Sequence, residues 1–175
     1  MKHKIKPILR RVYYKLPKKG RAWILEAYRS LNYFVNKSEV DESRASITGD
    51  ISLLTKLVKH YNKSDIIVFP VIDWEFRVQR PQHLARELAA TGDRVIYLTT
   101  TFNYSTEPGF KILRSPEENV VICSLNCNKL NINIYKDDLK HEQLLFLNQS
   151  VNIVRLAFGF GYTTSIVNLP FWRRV

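Results

Sequence analysis

The sequence predicts an α/β fold: a Rossmann-like, three-layer domain with a parallel sheet over residues 50–175, preceded by a basic amphipathic helical extension at 1–35 and a linker at 36–49. Three observations carry this. Short uninterrupted apolar runs such as Ile66-Ile67-Val68-Phe69 mark strands buried on both faces, as a parallel sheet requires. Those runs alternate with stretches of helical period, which is the pattern of βαβ units. Net positive charge is concentrated at one end: of a formal net charge of +11, residues 2–37 hold eleven Lys or Arg against the single acid Glu26.

In chain order, the extension reads as two helices, 7–15 and 18–34, broken at Leu16-Pro17. In the second, Trp23, Ile24, Ala27, Tyr28, Leu31 and Phe34 repeat at helical spacing. Residues 36–49 are polar without period and read as a linker. Asp50 then caps a helix with the stripe Ile51, Leu54, Val58 and Tyr61. The strand at 66–69 leads through a loop at 70–80 to a helix with Pro81 at its first position, an apolar stripe of Leu84, Ala85 and Leu88, and Gly92 as its stop. A strand at 94–99 completes a βαβ unit, expected to cross over right-handed. Strands at 119–124 and 165–169 flank a helix from about 139, capped by Asp138, with the stripe Leu144, Leu147, Val151, Val154 and Phe158. Gly159 and Gly161 read as a turn. Residues 170–174 read as the opening of a helix that the domain does not complete, which leaves Phe171 and Trp172 exposed. No internal repeat is present.

Composition narrows the function classes. With 45% hydrophobic and 12% aromatic residues over 175 positions, the chain holds enough apolar material for one core, and disordered and collagen-like classes are excluded. Cys123 and Cys127 are too few for a disulfide framework and lack a second pair with metal-ligand spacing. No secretory signal and no long apolar span is evident, so the expected localisation is cytoplasmic, with peripheral attachment at the inner face of the cell membrane. The four N-x-S sequons, at Asn36, Asn62, Asn103 and Asn148, are read as chance. For the basic extension three readings compete. Cations alternating with Ile5, Ile8, Leu9, Val12, Tyr13 and Trp23 favour an anionic membrane surface over a solvated helix pair. Nucleic acid is disfavoured, since no base-reading motif accompanies the charge.

The loop at 70–83 is where chemistry concentrates. In a doubly wound sheet, ligands collect at the carboxyl ends of the strands, beside the start of the following helix. Arg77 and Arg80 supply cations suited to phosphate, Gln79 and Gln82 sugar-type hydrogen bonds, and Trp74 a flat apolar face. Asp73, Glu75 and His83 are the candidates for deprotonating an acceptor hydroxyl. Structural readings stand beside each: Trp74 and Phe76 as packing residues of a loop, Arg77 and Arg80 as solvated or paired with Asp73 and Glu75, His83 as a surface histidine.

The stretch from Pro70 through Trp74, Arg77 and Arg80-Pro81-Gln82 to Leu84-Ala85, Leu88, Gly92, Val95 and Tyr97 resembles the first βαβ unit of bacterial GT-B glycosyltransferases. The run Leu169-Pro170-Phe171-Trp172 is similar to one that such proteins carry at the end of a later strand. The resemblance is close over 66–98 and looser over 64–172. It implies the acceptor-side, N-terminal domain of a two-domain enzyme that transfers a sugar from a nucleotide-sugar to a glycan or lipid-linked acceptor. It implies no cofactor and no metal beyond the nucleotide-sugar donor. It also implies that the residues gripping the donor belong to a C-terminal domain that this chain does not contain, so the chain alone is expected to be inactive. The reading from another class is a non-catalytic α/β module that binds a membrane or a partner through its basic N-terminus.

Overall fold

The apolar runs expected as strands become strands, and a computed structural model describes residues 45–60 and 63–175. The expected helices at 7–15 and 18–34, and the linker up to residue 44, lie outside the described residues. The strands are β1 (Ser46–Gly49), β2 (Asp65–Phe69), β3 (Arg94–Leu98), β4 (Asn103–Tyr104), β5 (Gly109–Glu117), β6 (Val120–Cys127) and β7 (Thr163–Val167). The helices are α1 (Arg80–Ala90), between β2 and β3, and α2 (His141–Ala157), between β6 and β7. The strand order is β1-β5-β6-β3-β2-β7, with β4 pairing β6. The four strands β6, β3, β2 and β7 run parallel, while β5 is antiparallel to β6. The fold is therefore α/β, on a mostly parallel mixed sheet rather than a purely parallel one.

Alternation along the strands divides the core into two layers of side chains. Ile67, Phe69, Ile96, Leu98, Val121, Cys123 and Leu125 face α2, which contributes Leu144, Leu147, Ile153 and Val154. Ile66, Val68, Val95, Tyr97, Val120 and Ile122 face the other way and meet Ala85 and Ala89 of α1 and the ring of Trp74. The helices thus lie on opposite faces, as right-handed crossovers require when the chain first moves one way along the sheet and then returns.

Both helices start with the same device. The Gln82 side-chain oxygen accepts the N–H of Gln79 at 3.0 Å, and the Gln143 side-chain oxygen accepts that of Lys140 at 2.9 Å. This corrects two expectations. Pro81 is the second residue of α1, because Arg80 already lies in the helix, and Asp138 does not cap α2 but pairs with Arg174.

Other departures have local causes. Asp50 accepts the Ser52 N–H at 3.2 Å as expected, but the segment it caps is a single 3-10 turn, Ile51–Thr55. The N–H of Val58 goes to the Asn119 side chain instead of continuing the helix. Residues 46–49, expected to close the linker, form β1 beside β5. Here Gly49 and Gly109 let two backbones close up, since a Cβ on either would sit 1.9 Å from the facing carbonyl oxygen. Neither β4 nor β5 is expected from the sequence, because the chain around Pro108-Gly109 contains no uninterrupted apolar run.

The end of the chain reverses one expectation. Residues Pro170–Arg174 form a 3-10 turn that folds Trp172 inward, where its indole N–H donates to the Pro70 carbonyl at 2.7 Å and its ring meets Phe69 and Phe102 at 5.5 and 5.6 Å. Trp172 is buried and Phe171 half-buried.

At the amino end of the sheet, a buried ion pair joins three segments. Arg94 contacts one Asp65 oxygen through Nε at 2.8 Å and Nη2 at 2.7 Å, stacks on Phe160 at 4.6 Å and donates to the carbonyls of Phe158 and Gly159. The second Asp65 oxygen accepts from the Gly161 N–H at 3.3 Å and Lys59 Nζ at 3.4 Å. A buried pair survives only when its remaining polar atoms are satisfied in this way.

Candidate functional site

From β2 the chain proceeds through β3 to β6 on one side, then returns through α2 to place β7 on the other side of β2. The strand order reverses between β2 and β7, and the crevice expected to take ligands lies at the carboxyl ends of these two strands. The segments there are the loop from Pro70 to Gln79 and the residues after β7. Asn168 ties them together by donating its N–H to the Phe69 carbonyl at 3.0 Å. Trp172, after β7, is buried at this point and donates to the Pro70 carbonyl.

The 70–79 loop is held from within by neutral groups. Gln82 is completely buried, and its amide nitrogen donates to the carbonyls of Asp73 at 3.2 Å and Arg77 at 2.9 Å while its oxygen holds Gln79. Trp74 is buried edge-on against Tyr97, with centroids 5.1 Å apart, and the Arg86 guanidinium lies 5.1 Å above its ring. Tyr97 donates its hydroxyl to the Ile72 carbonyl at 2.8 Å, and Tyr135, from the loop after β6, donates to the Val71 carbonyl. Burial, then the Asp73 charge and the neighbouring Tyr135, push the Tyr97 phenol well above its ordinary range.

The expected site residues therefore separate into two groups. Gln82 and Trp74, expected to offer hydrogen bonds and a flat face to a ligand, have those functions occupied within the chain. Asp73 is half-buried, with one carboxylate oxygen accepting the Thr100 N–H at 2.5 Å, which fixes it at the carboxyl end between the loops after β2 and β3. Glu75 lies exposed and paired with Arg114. His83 and Arg80 are exposed on α1, Gln79 is half-buried at its N-cap, and Arg77 is exposed, its guanidinium 5.7 Å from the Phe76 ring centroid. The first turn of α1 offers an anion fewer donors than expected, because the Gln79 N–H is taken and Pro81 has none. Asp73 is thus the one candidate base that the fold holds in the crevice.

The sequence does not mark Thr100, Arg114 or Tyr135 as site residues, and Tyr97 enters only in the stretch that carries the resemblance. Tyr97 was legible as an inward strand residue, but Tyr135 sits in a loop without period and reaches Val71 only through the fold. A groove of about 530 Å³ opens at the opposite, amino end of the sheet, lined by His60, Lys63, Arg86, Thr91, Glu117 and Glu118. Its Arg86 and Glu117 side chains are paired at 2.5 Å, each serving the other.

No family model, curated protein or solved structure matches this chain. No group of three or more His, Cys, Asp or Glu side chains suited to a metal occurs among the described residues, and none of the helices among them is long and apolar enough to cross a membrane. What the arrangement offers chemically is one fixed carboxylate, Asp73, with two outward guanidiniums, Arg77 and Arg80, on the adjoining loop and helix start. That combination suits a hydroxyl to be deprotonated on a molecule that also carries an anionic group.

Proposed function

We propose that this chain is the acceptor-side domain of a GT-B glycosyltransferase, which transfers a sugar from a nucleotide-sugar to a glycan or lipid-linked glycan. The observation that carries the reading is the Asp73 carboxylate held at the carboxyl end of the sheet, between the loops after β2 and β3, on the loop whose sequence resembles that family. The Leu169-Pro170-Phe171-Trp172 run lies at the end of β7, the position the resemblance assigns to it. In the step envisaged, Asp73 takes the proton of the acceptor hydroxyl and the freed oxygen bonds to the anomeric carbon. The bond from that carbon to the donor phosphate breaks, and the nucleoside diphosphate leaves with the electron pair. Arg77 and Arg80 hold an anionic group of the acceptor, each such bond being worth about 1.5–3 kcal/mol. The donor is gripped by a separate C-terminal domain, so donor affinity and turnover are not expected of this chain alone.

Calorimetric titration with two panels tests this. Phosphate-bearing glycan acceptors should bind, and Arg80→Ala should weaken them about tenfold or more, the factor that about 1.4 kcal/mol implies. Nucleotide-sugars should bind only weakly. Micromolar affinity for a nucleotide-sugar, with no acceptor binding, overturns the assignment and favours a different placement of the donor site.

A further inference from the structure

The 70–79 loop has an outer side unlike its inner one. Its inner members are locked: Gln82 makes three hydrogen bonds, Trp74 is packed on Tyr97, and Asp73 is tied to Thr100. Its outer members are Phe76, 72% exposed, and Val78, 51% exposed, followed on the first turns of α1 by Leu84 at 39%. Arg77 and Arg80 interleave with them, both exposed, and neither makes an ion pair among the described residues. Because the Arg77 carbonyl is clamped to Gln82 in the first turn of α1, this apolar and cationic edge is presented by a fixed frame. The acids nearby are Asp73, held inward, Glu75, neutralised by Arg114, and Glu87, exposed one turn beyond Leu84.

We propose that Phe76, Val78 and Leu84, with Arg77 and Arg80, form a docking edge for an anionic lipid bilayer. Apolar side chains beside cations, without free acid between them, fit the boundary where acyl chains meet anionic headgroups. A protein partner of ordinary affinity would need a far wider patch than three side chains. The inference goes beyond the transfer reading by giving Arg77 and Arg80 a second anion, the lipid headgroup, beside the acceptor's anionic group, and a test with vesicles needs neither acceptor nor donor.

The full chain is tested by flotation with phosphatidylcholine vesicles, with and without phosphatidylglycerol. Residues 2–37 carry eleven Lys or Arg, whose charge is attracted to anionic vesicles in its own right, so the edge is read locally. In Phe76→Trp, the added indole should shift its emission to the blue and be quenched by brominated lipid beyond the signal of the parent chain. The double variant Arg77→Gln/Arg80→Gln should partition about tenfold or more less well onto anionic vesicles. Val78→Ser/Leu84→Ser should weaken binding to anionic vesicles without changing its salt dependence, and thermal melts establish that each variant is folded. Quenching at position 76 no greater than in the parent, or partitioning of the folded charge variant equal to the parent's, overturns the proposal.

Discussion

The two ends of the parallel sheet solve the same problem with opposite chemistry. At the amino end, charges are buried and turned on one another: Asp65 and Arg94 use every polar atom on partners within the chain, and Phe160 covers the guanidinium. At the carboxyl end the loop is held by neutral groups, the Gln82 amide, the Tyr97 hydroxyl and the Trp172 indole, each reaching a backbone carbonyl. Beside these neutral clamps Asp73 is tied to the Thr100 N–H and Glu75 to Arg114, while Arg77 and Arg80 face outward. Among the described residues of that loop and the first turn of α1, Arg77 and Arg80 are the cations that the fold leaves outside ion pairs.

The comparison is broken most severely at the amino end. Arg94→Met leaves Asp65 buried without its partner and should cost about 3–5 kcal/mol in urea unfolding, whereas adding Asp65→Asn should recover much of the loss. At the carboxyl end, Gln82→Leu removes three neutral bonds at once. The expected loss is about 1–3 kcal/mol, with faster limited proteolysis between residues 73 and 79 while the rest of the domain stays protected.

Tyr97→Phe removes only the bond to Ile72, a loss of about 1 kcal/mol at neutral pH, and sharpens the comparison through pH. The Tyr97 phenol is raised by folding, so its contribution is complete below the ordinary tyrosine value of about 10 and is lost as pH climbs above it. The wild type should therefore destabilise more steeply in alkali than Tyr97→Phe, as followed by melting temperature. The smallest effect is expected from Arg77→Gln/Arg80→Gln, whose stability should stay within about 0.5 kcal/mol of the parent because neither side chain makes an ion pair among the described residues.

Legibility in the sequence divides along the same line. β2, α1, β3 and α2 are readable because their apolar spacing reports a buried face directly, and Gly92, at φ +95°, stops α1 as its position suggests. β5 is not, although Phe110-Lys111-Ile112 carries a period of two, because the run is short and its ladder with β6 has register shifts. Among the site residues, the right loop is legible but not the direction of each side chain. Whether Trp74 faces a ligand or Tyr97, and whether Gln82 serves a sugar or the backbone, depends on contacts between segments that local pattern does not record. The burial of Trp172 depends on Pro70, about a hundred residues earlier in the chain, and no spacing rule reaches that far.

The position of the two cysteines on β6 gives the molecule a pair of chemical timers. Cys123 lies in the middle of the sheet, opposite both Leu98 and Ile112, and burial pushes its thiol far above the ordinary range. Cys127, at the end of the same strand opposite Tyr104, is raised less simply, since burial is partly offset by the backbone N–H groups of Lys129 and Asn128. Only the thiolate reacts, so a maleimide added to the folded protein must wait for each sulfur to be uncovered. Cys127 is uncovered when the loops at the carboxyl end lift, Cys123 only when the sheet itself parts. The ratio of the two alkylation rates therefore measures how independently the carboxyl end of β6 opens from the middle of the sheet.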